Sequence, residues 1–140
     1  MQPAATYTKP TIIQIETHGS PDKGFLSAMS GYDEIPFAIK RIFWIYGVPA
    51  ASERGQHAHR KATILLVALQ EAVQVRCESA NGQVSVHQLD SPSQALLIPP
   101  MHWHTLQLNN PDTVVLCLSS EEYDEAAYLR DYQEFKQIKA

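Results

Sequence analysis

The stretch Ala72-Val73-Gln74-Val75-Arg76-Cys77-Glu78-Ser79-Ala80-Asn81-Gly82-Gln83-Val84-Ser85-Val86-His87-Gln88-Leu89 decides the fold class. Val73, Val75 and Cys77 recur at every second position, the period of a strand with one buried face. Val84 and Val86 alternate in the same way, with His87 out of phase. Asn81-Gly82 sits between the two runs. Both residues tolerate positive φ, so the pair predicts a β-hairpin.

The same reading extends outward. Thr63 to Leu69 is a short apolar run, and its brevity among other strands favours strand over helix. Asp90-Ser91-Pro92-Ser93 is a turn, and Ala95 to Ile98 is a strand that Pro99-Pro100 stops. Thr113 to Leu118 is a fully apolar strand. Upstream, Thr11 to Glu16 is rich in β-branched residues, and Ile39 to Val48 is apolar and aromatic up to Gly47 and Pro49. From about Ser120 the pattern changes. Tyr128, Tyr132 and Phe135 fall at i, i+4 and i+7, one face of a helix, and acidic residues crowd its start. Many short strands and one late helix predict an all-β sandwich or jelly roll. No repeat or linker divides the chain, so residues 1–140 read as one domain.

Composition narrows the function. Hydrophobic residues make up 44% of 140 positions, enough for a real core. The formal net charge is −4 with the charges scattered, and no basic stripe of the kind that binds nucleic acid is visible. The longest apolar run, Ile64 to Leu69, is far short of the ~20 residues of a membrane helix. The start, Met1-Gln2-Pro3-Ala4-Ala5, lacks the basic and apolar regions of a signal peptide. Cys77 and Cys117 each lie in an apolar alternating run and read as buried thiols of a reducing compartment. These features predict a soluble cytoplasmic protein with neither a nucleic acid nor a membrane as partner.

The densest chemical feature is Arg54-Gly55-Gln56-His57-Ala58-His59-Arg60-Lys61. On a strand, His57 and His59 share a face, where two imidazoles can bind a metal or move protons. A second cluster, Pro99-Pro100-Met101-His102-Trp103-His104, follows at the exit of an apolar strand. There too, His102 and His104 share a face if the strand resumes.

Together the two clusters resemble the layout of the cupins, whose strands close into a small jelly-roll barrel with both motifs at its mouth. The cupin metal pattern is a His-x-His, a Glu a few residues on and a final His. His57, His59 and His104 fill three places, but Ala62, Thr63 and Ile64 offer no carboxylate at the fourth. That weakens a metal site, although three neutral imidazoles can still hold Zn or Fe. The closer resemblance is to a metal-free branch, the WxcM-like dTDP-4-keto-6-deoxyglucose 3,4-ketoisomerases. Four segments carry it: Ile35 to Val48, Arg54 to Lys61, Asp90-Ser91-Pro92 with Leu97 to Trp103, and Ser119 to Phe135. The chain departs from that family's usual pattern at Phe43-Trp44, where an aromatic pair with Tyr is common. It also departs at Ala62-Thr63-Ile64 and at Glu71, where Gly is frequent.

The resemblance implies an RmlC-like cupin barrel with one C-terminal helix, no metal and no cofactor. It implies an isomerase that moves a ketone between C4 and C3 of a dTDP-sugar through an enediol, in deoxyamino-sugar biosynthesis. His57 is then the expected base at C3, and His59 the group that orients it or relays protons. Arg41 and Arg54 are expected to clamp the pyrophosphate, because a guanidinium makes paired, charge-assisted bonds. Trp103 is expected to pack on the sugar ring and His104 to hydrogen-bond it. Barrels of this branch are generally dimers, and the Ile12-Ile13 strand could add to a partner's sheet. Two rival readings are a metal-dependent cupin using His57, His59 and His104, and a cupin that binds a sugar nucleotide without catalysis.

Overall fold

A computed structural model describes residues 7–138. Twelve strands form it: β1 (Thr11–Gln14), β2 (Glu16–Ser20), β3 (Gly24–Ala28), β4 (Arg41–Ile45), β5 (Ser52–His59), β6 (Ile64–Gln70), β7 (Val73–Ser79), β8 (Val84–Leu89), β9 (Gln94–Ile98), β10 (His102–Leu108), β11 (Val114–Ser119) and β12 (Tyr128–Leu129). Two short helices, α1 (Gly31–Glu34) and α2 (Tyr132–Gln137), complete it. One sheet has the order β1-β9-β6-β11-β4 and the other β12-β5-β10-β7-β8. From β4 onward the chain switches repeatedly between the two sheets, which is how a jelly roll closes on itself. The β2–β3 hairpin forms a separate two-stranded sheet.

The core lies between the two inner faces. Ile64, Leu66, Ala68, Val115 and Cys117 of the first sheet meet Val73, Val75, Cys77, Leu106 and Leu108 of the second. Leu65, Val67, Ala95, Leu97 and Leu118 point the other way and are covered by Ile13, Ile15, Met29, Ile35 and Phe37. β6 and β9 are thus buried on both faces, which explains why their sequences are continuous apolar runs rather than alternating ones. Cys77 and Cys117 are buried free thiols, as the sequence predicts, and burial pushes both up to about 12.

The predicted hairpin is β7–β8, with Val73, Val75 and Cys77 buried and Val84 and Val86 on the exposed side. Its turn uses only one of the two expected residues: Gly82 has φ +89, whereas Asn81 does not take positive φ.

The C-terminal segment differs from its sequence reading. A long helix through Tyr128, Tyr132 and Phe135 does not form. Asp124 caps a single 3₁₀ turn over Glu125–Ala127, the chain then extends as β12, and Asp131 caps α2 by accepting from Gln133 and Glu134. Two caps in one stretch break it into two short elements. The backbone of Tyr128-Leu129 instead pairs with His59 and Ala58 of β5. α2 packs Phe135 onto Trp103, Ala58 and Leu129 on the outer face of the second sheet. Tyr132 and Lys136 anchor α2 to the buried Glu78 carboxylate, at 2.9 and 2.8 Å. Burial raises the Glu78 carboxyl, but the hydrogen bonds from Lys136 and Tyr132 win and hold it below its usual value.

Candidate active site

A bulge in β5 builds the site. Along the β5–β10 ladder, Arg54 pairs with Leu106, Gly55 with Thr105 and His57 with His104. Gln56 is therefore the extra residue, opposite none. Gly55 and Gln56 both take positive φ, +85° and +56°. A Cβ at Gly55 would stand 2.9 Å from the His104 carbonyl oxygen, so only glycine lets β5 approach β10 so closely here. One inserted residue resets the alternation of a strand. Arg54 at an even position and His57 and His59 at odd ones then share the inner face, which an unbroken strand would forbid.

Strands β4, β5, β10 and β12 converge on a cavity of about 590 Å³ lined by Arg41, Arg54, His57, His59, His104, Tyr128 and Arg130, with Ile64, Leu66, Leu106 and Cys117 among its apolar wall. His57 and His59 project into it together, as expected. Their Nε2 atoms lie 3.3 Å apart. His104 lies across the strand with its ring centroid 4.7 Å from that of His57. Ring nitrogens of the three fall within 4.8 Å of one another.

The hydrogen bonds define tautomers. His57 Nδ1–H donates to the Gly55 carbonyl at 2.9 Å, leaving Nε2 as the lone-pair nitrogen. His59 Nε2–H then donates to His57 Nε2. His104 Nδ1–H donates to the His102 carbonyl at 3.2 Å. Loss of hydration on burial depresses all three rings. His59 falls to about 3, with His57 and Arg41 adding to burial, and His104 also falls to about 3. His57 is lowered as well, although its bond to the Gly55 carbonyl opposes the effect. At neutral pH the cluster is uncharged, and so suited to accepting protons.

Two guanidiniums reach this cavity without a carboxylate partner among the described residues. Arg54 enters through the reset register, and Arg41 from the start of β4. Arg41 lies 4.3 Å over the Phe43 ring and donates to the Tyr128 hydroxyl at 2.9 Å. A third, Arg130, is held by two bonds to Glu125 at 2.6 and 2.9 Å.

One expected residue is misplaced. Trp103 does not line the cavity. His104 faces inward, so its neighbour in the strand faces outward, and Trp103 lies under α2 with its ring 5.7 Å from Phe135. His102 lines a different cavity, beside Met101 and Pro99. Conversely, Tyr128, Tyr123 and Arg130 line the cavity without being expected there from sequence. The signal was present in the Tyr-Leu-Arg run, but a helical period hid it. Pairing with β5 puts Tyr128 on the same face as His59.

A jelly-roll barrel with a histidine cluster in its mouth defines the class as a cupin. Comparison with known proteins then narrows it. The family described as FdtA: WxcM-like, C-terminal matches residues 8–140. TDP-4-oxo-6-deoxy-alpha-D-glucose-3,4-oxoisomerase of Aneurinibacillus thermoaerophilus is 36% identical over 114 residues, 81% of each chain. QdtA, a sugar 3,4-ketoisomerase from Thermoanaerobacterium thermosaccharolyticum solved in complex with TDP, superposes with a TM-score of 0.85 at 29% identity, covering 94% of each chain. The TDP-fucose-3,4-ketoisomerase WlaRA from Campylobacter jejuni gives 0.82 at 28%, covering 93% of this chain and 95% of its own. The chain belongs to the FdtA/WxcM-like family of cupin-fold proteins.

Proposed function

We propose that the protein is a dTDP-sugar 3,4-ketoisomerase that moves the ketone of a dTDP-4-keto-6-deoxyhexose from C4 to C3 in deoxyamino-sugar biosynthesis. The observation that carries this reading is the neutral His57–His59 pair facing a cavity beside two guanidiniums that no carboxylate among the described residues pairs with. It is supported by the names of the three relatives given above, a TDP-sugar 3,4-oxoisomerase, a sugar 3,4-ketoisomerase and a TDP-fucose-3,4-ketoisomerase.

The chemistry follows from the placement. The C4 carbonyl acidifies the C3 hydrogen. His57 is the most exposed of the three rings and its Nε2 carries the lone pair, so it is the base once the His59 N–H that faces this nitrogen turns away from it. His59, in contact with that nitrogen, orients it and passes its proton on. A positioned imidazole contributes about 10²–10⁴-fold to such a step. Arg41 and Arg54 hold the pyrophosphate, and His104 Nε2 accepts a hydrogen bond from a sugar hydroxyl. The test is incubation with dTDP-4-keto-6-deoxyglucose in deuterated water, followed by proton NMR. Appearance of the 3-keto sugar with deuterium at the exchanged carbon is expected. Binding of dTDP without exchange favours the non-catalytic reading.

One observation favours a second reading. Three imidazoles within 4.8 Å is a ligand set that Zn or Fe accepts. Elemental analysis of protein purified without added metal decides it, and a stoichiometric ion would replace the proton-transfer scheme.

The protein works as one cupin domain in the cytoplasm, as a homodimer. β1 pairs with β9 of its own chain and ends the first sheet, so its outer edge is available for a partner strand. Phe25 and Leu26 of the separate hairpin, Ile42 and Trp44 of β4, and Tyr46 just after it are exposed apolar residues that a second copy would cover. A monomer in sedimentation equilibrium would refute the dimer.

A further inference from the structure

The isomerase reading leaves one task without a group to perform it. As the proton leaves C3, negative charge gathers on the C4 oxygen, and a donor must meet it. The histidines are poorly placed to supply one. His57 Nδ1–H is committed to the Gly55 carbonyl and His104 Nδ1–H to the His102 carbonyl, while the His59 Nε2–H faces His57. Among the described residues, the cavity is lined by three hydroxyls, those of Tyr46, Tyr123 and Tyr128. Tyr46 is 69% exposed at the rim. Tyr123 donates to the Glu125 carboxylate.

Tyr128 is different. Its ring centroid lies 4.9 Å from that of His57 and 4.6 Å from that of His59. Its oxygen accepts from Arg41 at 2.9 Å. The Arg130 guanidinium stacks 4.4 Å from the centre of the ring. A phenol oxygen that accepts from a guanidinium keeps its own O–H free to donate, and the cation polarises that bond.

We propose that Tyr128 is a catalytic residue of the isomerisation, its hydroxyl donating a hydrogen bond to the C4 oxygen of the sugar with Arg41 behind it. The assignment rests on the ketoisomerase reading. When His57 takes the C3 proton, the C–H electron pair becomes the C3–C4 double bond and the carbonyl pair moves to oxygen. The Tyr128 O–H meets that charge without itself giving up its proton. β12 exists to place this group. Pairing Tyr128 with His59 across two antiparallel strands fixes the phenol beside the base on one face.

The test compares wild type, Tyr128→Phe and Tyr128→Leu on dTDP-4-keto-6-deoxyglucose in deuterated water by NMR. Thermal unfolding and dTDP titration are run on each. Loss of one preorganised donor costs about 10²–10³-fold in kcat. Tyr128→Phe is therefore expected to lose at least that order while its unfolding midpoint stays at the wild-type value and dTDP still binds, and Tyr128→Leu to lose no less. If Tyr128→Phe turns over within three-fold of wild type while Tyr128→Leu fails, the ring serves only as packing and the assignment is overturned. If the wild type itself neither converts the sugar nor exchanges the C3 hydrogen, the ketoisomerase reading falls and takes this role with it.

Discussion

His57 stands where the cavity opens, with its proton-bearing nitrogen tied to the Gly55 carbonyl and its lone pair at Nε2 facing His59. Replacing it with Gln keeps size and hydrogen bonding but removes the base. Turnover should fall by about 10²–10⁴-fold, read by NMR on the keto sugar, with the thermal midpoint little changed. The pH profile should carry the same signature. As the proposed base, His57 must be neutral to act, and burial lowers it from 6.5. The acid limb of kcat/KM should therefore lie below pH 6.5. A limb centred above pH 7 would point to another group. Arg41 and Arg54 differ from Trp103 in a way that residue type alone could not reveal. All three suit a sugar nucleotide by chemistry, but two reach the cavity and the third supports α2.

The element that matters most is β5 with its bulge. Gly55 at φ +85° meets the His104 carbonyl so closely that no side chain fits. Gly55→Ala should cost about 1–3 kcal/mol from the left-handed backbone alone, measured by urea unfolding. It should also reduce turnover, because β5 and the His57 ring move with it. Unchanged stability would show that the ladder tolerates a shift. The strands were largely legible in the sequence, because period-two alternation and Asn81-Gly82 are local signals. The bulge was not, since nothing within Arg54-Gly55-Gln56-His57 says which residue lacks a partner across the ladder. The C-terminal segment was misread for a related reason. Tyr128, Tyr132 and Phe135 keep a helical spacing, yet caps at Asp124 and Asp131 and pairing to β5 override it.

For the whole molecule, burying neutral imidazoles links stability to pH. His59 and His104 titrate near 6.5 when unfolded and at about 3 when folded. Between those values the unfolded chain binds more protons, so stability is full above pH 6.5 and declines as pH falls through that window. One such group changes stability by at most about 1.4 kcal/mol per pH unit. A loss of roughly 2–4 kcal/mol between pH 7 and 5 is expected in denaturant titrations, and His59→Leu/His104→Leu should flatten it. Glu78 adds a further decline at lower pH. Its folded carboxyl lies below the unfolded value, so its contribution disappears only as pH falls below about 4.5.

The sequence by itself determined the β class, the short length of each strand, the two histidine motifs and the family. Each of these is written in local periodicity or in residues adjacent in the chain. Tertiary structure alone decided which residues share the cavity. It turned Trp103 outward beside an inward His104, brought Arg54 onto the histidine face by one extra residue, and set Tyr128 against His57 and His59 from the far end of the chain. The physical reason is that a side chain's direction depends on the register between strands. That register is settled by pairing partners distant in sequence, and no stretch of sequence contains both.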